Sequence, residues 1–180
     1  MVNIKSKLLD KNEISKTLIR LSHEIVEQSD SIENIAIIGI RTRGQIIADR
    51  ILKNIISKTN QKCNSGILDV TFYRDDFSTN LGSPKIGPSD INFDINGKDI
   101  ILVDDVLFTG RTIRAAMEEI FSFGRPKTIK LAVLVDRGHR ELPIKANFIG
   151  KNYPTSNNEH IHVLVNEVDN KEEVILVNYS

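Results

Sequence analysis

Cysteine occurs once in the 180 residues, at Cys63, and tryptophan is absent. One thiol excludes an intrachain disulfide and any metal site built on several cysteines. Phenylalanine (7) and tyrosine (3) are scarce, which argues against the broad stacking platforms that hold single-stranded nucleic acid. Excess charge is missing as well. The 24 Lys and Arg balance 24 Asp and Glu, so no overall positive field drives binding to a polyanion. The apolar runs are short ones such as Ile35–Ile40 (IAIIGI), far below a membrane span. The opening MVNIKSKLLD carries no stretch of signal-peptide character. These gaps lead us to expect a soluble, cytoplasmic protein without a membrane partner. Residues 1–180 are expected to fold as one domain, a length that suits a single substantial core.

What is present reads as alternating helices and buried strands. Asp10 and Glu13 have capping-box spacing, and Ile14, Leu18, Leu21, Ile25 and Val26 mark one face of a helix running to about Ser29. IAIIGI reads as a buried strand; Arg41-Thr42-Arg43-Gly44 follows, then a helical pattern through Ile55. A second strand is expected from Ile67 to Tyr73, then a long loop from about Arg74 to Pro88, of a length often used as a lid. Asn96-Gly97 marks a turn. DIILVDD predicts a central strand ending in two carboxylates, with a helix from about Arg111 to Phe123 stopped by Pro126. IKLAVLV is another strand, and the loop-rich remainder holds short strands near Ile161–Val165 and Val174–Val177. The pattern predicts an α/β fold: a mainly parallel sheet flanked by helices, with a small C-terminal hood.

The most specific run is IILVDDVLFTGRTIRAA, Ile100 to Ala116. Ligands of open α/β sheets bind beyond the carboxyl ends of strands. Thr109, Gly110, Arg111 and Thr112 stand where free N–H groups at a helix start cradle a phosphate. Two adjacent carboxylates at a buried strand end need partners, because burying them unpaired is costly; ribose hydroxyls or a divalent cation would serve. Alone, a TG or a DD pair is an ordinary capped helix or a solvated acid. The run in this order is far more specific.

Here the chain resembles the type I phosphoribosyltransferases, whose signature is an apolar strand, two acids and a T-G-x-T phosphate loop. The resemblance implies binding of 5-phosphoribosyl-1-pyrophosphate (PRPP). Asp104 and Asp105 would hold the ribose hydroxyls, and the segment Val106, Leu107, Phe108, Thr109, Gly110, Arg111, Thr112 the 5′-phosphate. Arg41, Thr42, Arg43 and Gly44 match the family's pyrophosphate loop, and Mg²⁺ would be held mainly through PRPP, with no metal site of the protein's own. GIRTRG, DVTFYRDD, VDDVLFTGRT, VDRGHRELP and PTS are similar to the PyrR family, pyrimidine-operon attenuation regulators that also act as uracil phosphoribosyltransferases. This implies a lid beginning at Tyr73, Arg74, Asp75 and Asp76, and uracil beside Asp136 and Arg137. Arg137 is carried over as catalytic together with the two acids; no general base is assigned.

From Arg125 to Lys151 seven basic residues face two acids, whereas from Pro154 to Ser180 five acids face one lysine. Neutrality therefore hides a basic face. By resemblance, Arg20, His23, His139, Arg140, Lys145 and Lys151 contact leader messenger RNA of the pyrimidine operon when UMP or UTP is bound, in a homodimer or homotetramer. Arg140→Ala is then expected to weaken RNA binding and spare uracil turnover. Ile19 departs from the family, which often has Thr there. Three alternatives stay open: a salvage enzyme without RNA binding, a nucleotide-sensing regulator with little turnover, and an enzyme for another base such as hypoxanthine or orotate. His160 and His162 alternate in a strand as surface histidines or a ligand pair, and Cys63 is given no role.

Overall fold

The computed structural model describes residues 2–70 and 88–179. Strand β1, Val2–Asp10, hands over directly to helix α1, Lys11–Glu27, and the helix starts as its sequence dictates. The Asp10 carboxylate accepts from Glu13 N at 2.9 Å, and the Glu13 carboxylate accepts from Asp10 N at 2.8 Å. This reciprocal cap satisfies two amide groups that a helix start leaves open. Ile14, Leu18, Leu21 and Ile25 line the buried face.

After a 3₁₀ turn at Ile32–Asn34 come β2 (Ile35–Ile40), α2 (Arg43–Thr59), β3 (Asn64–Leu68), β4 (Asp99–Leu107), α3 (Arg111–Phe123), β5 (Thr128–Asp136) and β6 (Phe148–Asn152). Strands β2 to β6 form a parallel sheet in the order β3-β2-β4-β5-β6. Being covered on both faces, β2 is apolar throughout and every residue of it is buried. Ile14, Leu18, Ile47 and Ile51 of α1 and α2 pack with Ile35, Ile37, Ile101 and Val103 on one face. On the other, Ile113, Ala116 and Ile120 of α3 pack with Ala36, Ile38 and Ile40 of β2 and with Ile100 and Leu102 of β4.

The chain's two ends make a second, antiparallel sheet. Here β1 is joined by β7 (Glu159–Leu164) and β8 (Glu173–Tyr179) in the order β1-β8-β7, with a one-turn helix α4 (Asn166–Asp169) between β7 and β8. This is the hood, and its edge strand β1 comes from the N-terminus rather than from the C-terminal part alone.

Two boundaries differ from the sequence reading. A strand of the parallel sheet spans Asn64–Leu68, starting three residues before the expected Ile67 and pairing with Ala36–Ile40, while Thr71 to Tyr73 of the expected strand lie outside the described residues. Strand β4 does not stop at the two acids: pairing with β5 continues to Leu107↔Asp136, while pairing with β2 ends at Gly39↔Val103. Of the expected lid, only Pro88 lies within the described residues, so Tyr73, Arg74, Asp75 and Asp76 fall outside them.

Candidate active site

Strand β2 leads through α2 to β3 on one side, and β4 leads through α3 to β5 on the other. The chain thus reverses its winding between β2 and β4, and such a switch point opens a crevice at the strands' carboxyl ends. Asp104 and Asp105 stand there, 3% and 7% exposed. Asp105 N donates to Asp104 Oδ1 and Val106 N to Asp105 Oδ1, both at 2.9 Å. Beyond the end of β2, Arg41 N donates to Leu68 O, and the Arg41 guanidinium lies 3.5 Å from the buried Asp69 carboxylate. Gly44 is required by the close approach of this turn to β4. A Cβ there would stand 2.7 Å from Val103 O and 3.1 Å from Asp104 Oδ1.

Thr109 is buried, and its Oγ1 accepts from Arg111 N at 3.2 Å. Gly110 has φ +94°, a conformation that favours glycine, and turns the chain into α3. The loop is braced from behind, because Thr109 O accepts from Glu141 N and Leu142 N at 2.9 and 3.2 Å. Arg111 reaches Glu141 on the outside at 2.6 Å. The start of α3 therefore stands just past the end of β4, where an anion would be held by N–H groups and the helix dipole.

At the end of β5, the Asp136 carboxylate accepts two bonds from Arg140 Nη2, at 2.7 and 2.5 Å, and one from Gly138 N at 3.0 Å. Arg140 also donates to Phe108 O and Ile144 O, so it ties the segment before Thr109 to the loop after β5. Arg137 is 3% exposed. It donates to Thr155 Oγ1 at 3.1 Å and Glu159 O at 2.7 Å, and its guanidinium carbon lies 3.9 Å from the Phe108 ring centroid, a cation–π contact. Burial pulls the Arg137 pKa down. His160 Nδ1 is 3.5 Å from Arg137 Nη1, and burial, the Arg137 charge and His162 hold the imidazole pKa below its ordinary 6.5.

The basic residues expected to face RNA are distributed over neighbouring elements. Arg20 pairs with Glu24 and donates to Ile149 O and Gly150 O, at 3.1 and 2.6 Å, which places α1 against β6. His23, His139, Lys145 and Lys151 are exposed, and His139 Nε2 lies 2.5 Å from Thr155 O. Ile19 is 43% exposed, so it does not belong to the core. Sequence reasoning named the PTS motif and His160 without placing Thr155 and His160 beside Arg137, and it missed both Glu159, whose carbonyl Arg137 reaches, and Asp169, which holds Arg43. Cys63 is half-buried, and burial pushes its thiol up to about 11, which keeps it unreactive.

Comparison with known proteins agrees with this geometry. The phosphoribosyl transferase domain family matches residues 5–168. A hypoxanthine-guanine phosphoribosyltransferase from Bacillus anthracis superposes with a TM-score of 0.73 at 19% identity, covering 98% of this chain and 99% of that one. The hypoxanthine phosphoribosyltransferase of Trypanosoma cruzi does so with 0.73 at 15%, covering 98% of each. At such identities the likeness shows the fold alone, and it is the phosphoribosyltransferase fold. Sequence relatives narrow the group. Proteins from Caldicellulosiruptor bescii (53% identical, covering 94% of this chain and 93% of the relative) and Thermoanaerobacter sp. (50%, covering 97% and 98%) are both named bifunctional protein PyrR. A protein of that name from Clostridioides difficile is 46% identical, covering 96% and 97%. The chain belongs to the PyrR family of phosphoribosyltransferases.

Proposed function

We propose that this protein transfers the phosphoribosyl group of PRPP to uracil, giving UMP and pyrophosphate, and that bound uridine nucleotide strengthens its grip on the leader messenger RNA of pyrimidine genes. The carrying observation is the crevice itself: a buried acid pair on β4, a helix start just beyond the strand, and the Arg41–Gly44 turn packed on Asp104.

In this reading Asp104 and Asp105 accept from the ribose hydroxyls, the Thr109–Thr112 segment holds the 5′-phosphate, and the Arg41–Gly44 turn receives pyrophosphate. Uracil N1 forms the new bond to the anomeric carbon as the bond to pyrophosphate oxygen breaks, and the N1 proton leaves to solvent. The anomeric centre gains positive character while the leaving group carries several negative charges. Alignment and fixed charges therefore supply the rate enhancement, with no protein nucleophile. Among the described residues no group of three or more His, Cys, Asp or Glu converges on one point. Two carboxylates suit an ion that takes most of its oxygen ligands from a substrate. Mg²⁺ would be held mainly through PRPP oxygens, beside the two carboxylates, and would supply positive charge at the leaving group. Asp136 and Arg137 border the uracil position through the backbone they fix.

The RNA-binding face comprises Arg20, His23, His139, Lys145 and Lys151, with Arg140 behind it, in a dimer or tetramer acting in the cytoplasm. Among the described residues no helix is long and apolar enough to cross a membrane. The exposed Ile19 and the occupied donors of Arg20 favour a second reading, an enzyme that has kept catalysis and lost RNA binding. Two assays on one preparation separate them: UMP formation from uracil and PRPP with Mg²⁺, and binding of the leader RNA with and without UMP at fixed salt. The proposal expects both activities, with RNA binding strengthened by UMP. Turnover with RNA affinity no better than for an unrelated RNA of equal length selects the second reading, and absence of turnover overturns the enzymatic part.

A further inference from the structure

The Arg41–Gly44 turn is gripped from two sides. On the sheet side, Gly44 lies against Val103 O and Asp104 with no room for a Cβ. On the hood side, Arg43 donates from Nε and Nη2 to Oδ2 and Oδ1 of Asp169, at 3.2 and 2.7 Å. The pair is largely sheltered, with side-chain exposures of 31% and 15%. Asp169 Oδ2 also accepts from Val165 N at 2.9 Å, so the carboxylate that holds Arg43 is itself fixed to the hood backbone. A two-pronged guanidinium–carboxylate pair sets orientation as well as distance. It also offsets the repulsion between a cation and the first turn of α2.

We propose that Asp169 is a positioning residue for pyrophosphate: through Arg43 it ties the hood to the Arg41–Gly44 turn and presets that turn over Asp104. Arg43 then anchors the turn, while Arg41 and the backbone amides of the turn meet the leaving group. This rests on assigning the turn to pyrophosphate. The molecule carries its own control. Arg50 on α2 pairs with Glu167 and Glu172, on either side of Asp169 in the hood. It docks the same segment to the same helix without touching the turn.

The test compares Asp169→Asn, Asp169→Glu, Arg50→Gln and Arg41→Gln by steady-state kinetics in both directions, with melting temperature as a check on folding. Asp169→Asn is expected to raise KM for PRPP and for pyrophosphate about tenfold, with kcat and KM for uracil within about twofold. Asp169→Glu restores most of the loss. Arg50→Gln lowers the melting temperature without moving KM for PRPP. Unchanged KM values in Asp169→Asn, or the same kinetic pattern in Arg50→Gln, overturn the proposal. If Arg41→Gln leaves KM for pyrophosphate untouched, the assignment of the turn fails. If Arg41→Gln raises it and Asp169→Asn does not, only the role of Asp169 fails.

Discussion

Asp104–Asp105 on β4 and Asp136 on β5 are neighbouring acids at the carboxyl end of one sheet, and all three are buried to within 8% exposure. Their partners differ. Asp136 has a guanidinium on both oxygens, and Arg140 in turn holds Phe108 O and Ile144 O. Asp104 and Asp105 accept from the amides of the residues that follow them. A buried carboxylate with its own arginine is a part of the scaffold, and removing either partner strands the other charge. Acids that accept from amides at the mouth of a crevice are the ones we propose to meet the ligand, and such sites often cost stability in exchange for function.

The largest effect that would break this contrast is on catalysis. Asp104→Asn with Asp105→Asn is expected to lower kcat/KM for UMP formation on the order of a thousandfold while circular dichroism shows an intact fold. Normal turnover would remove the ribose-binding role. Arg140→Ala comes next. It leaves Asp136 without its arginine, and unfolding in denaturant should show a loss of about 3 kcal/mol. Since Arg140 braces the backbone at Phe108, just before the segment proposed to hold phosphate, uracil turnover should fall along with RNA binding, so this variant does not separate the two functions as the sequence alone suggests. Lys145→Gln with Lys151→Gln is the cleaner separator. Both are exposed, and the pair should reduce the salt dependence of RNA binding, with a slope smaller by roughly 1–2, while UMP formation is unchanged. An unaltered slope would move the RNA face elsewhere.

The smallest effect concerns His160. Its folded-state pKa lies below 6.5, first through burial and then through Arg137 and His162. The unfolded chain therefore takes up the proton more readily. The neutral imidazole's contribution to stability is complete above about pH 6.5 and is lost as pH falls through that value toward the folded pKa. His160→Gln should flatten the acid-side fall in melting temperature; an unchanged pH profile would show that the imidazole has no part in it.

The capping box, IAIIGI and the helix from Arg111 to Phe123 are legible in the sequence because local pattern and final structure agree there. Strand β1 is not. Its pairing with β8 shifts register between Ile4 and Ser6 and again between Lys7 and Leu9, and two such irregularities erase the period-two signal. Strand β6 is hidden by Gly150, which is there because a Cβ would meet Leu134 O at 2.3 Å. The acid pair and the Thr109–Thr112 turn are readable as a contiguous run. The Arg43–Asp169 pair spans 126 residues, and nothing in local sequence announces a partner that far away.

The most direct measurement sets the two acidic sites side by side, with UMP affinity by calorimetry and melting temperature for Asp104→Asn/Asp105→Asn and for Asp136→Asn. The first variant is predicted to keep its melting temperature and lose UMP binding, and the second to lose melting temperature through the stranded Arg140. A β4 variant that unfolds early yet still binds UMP as the wild type does, or an Asp136 variant with unchanged stability, would contradict the division between ligand-bearing and scaffold acids.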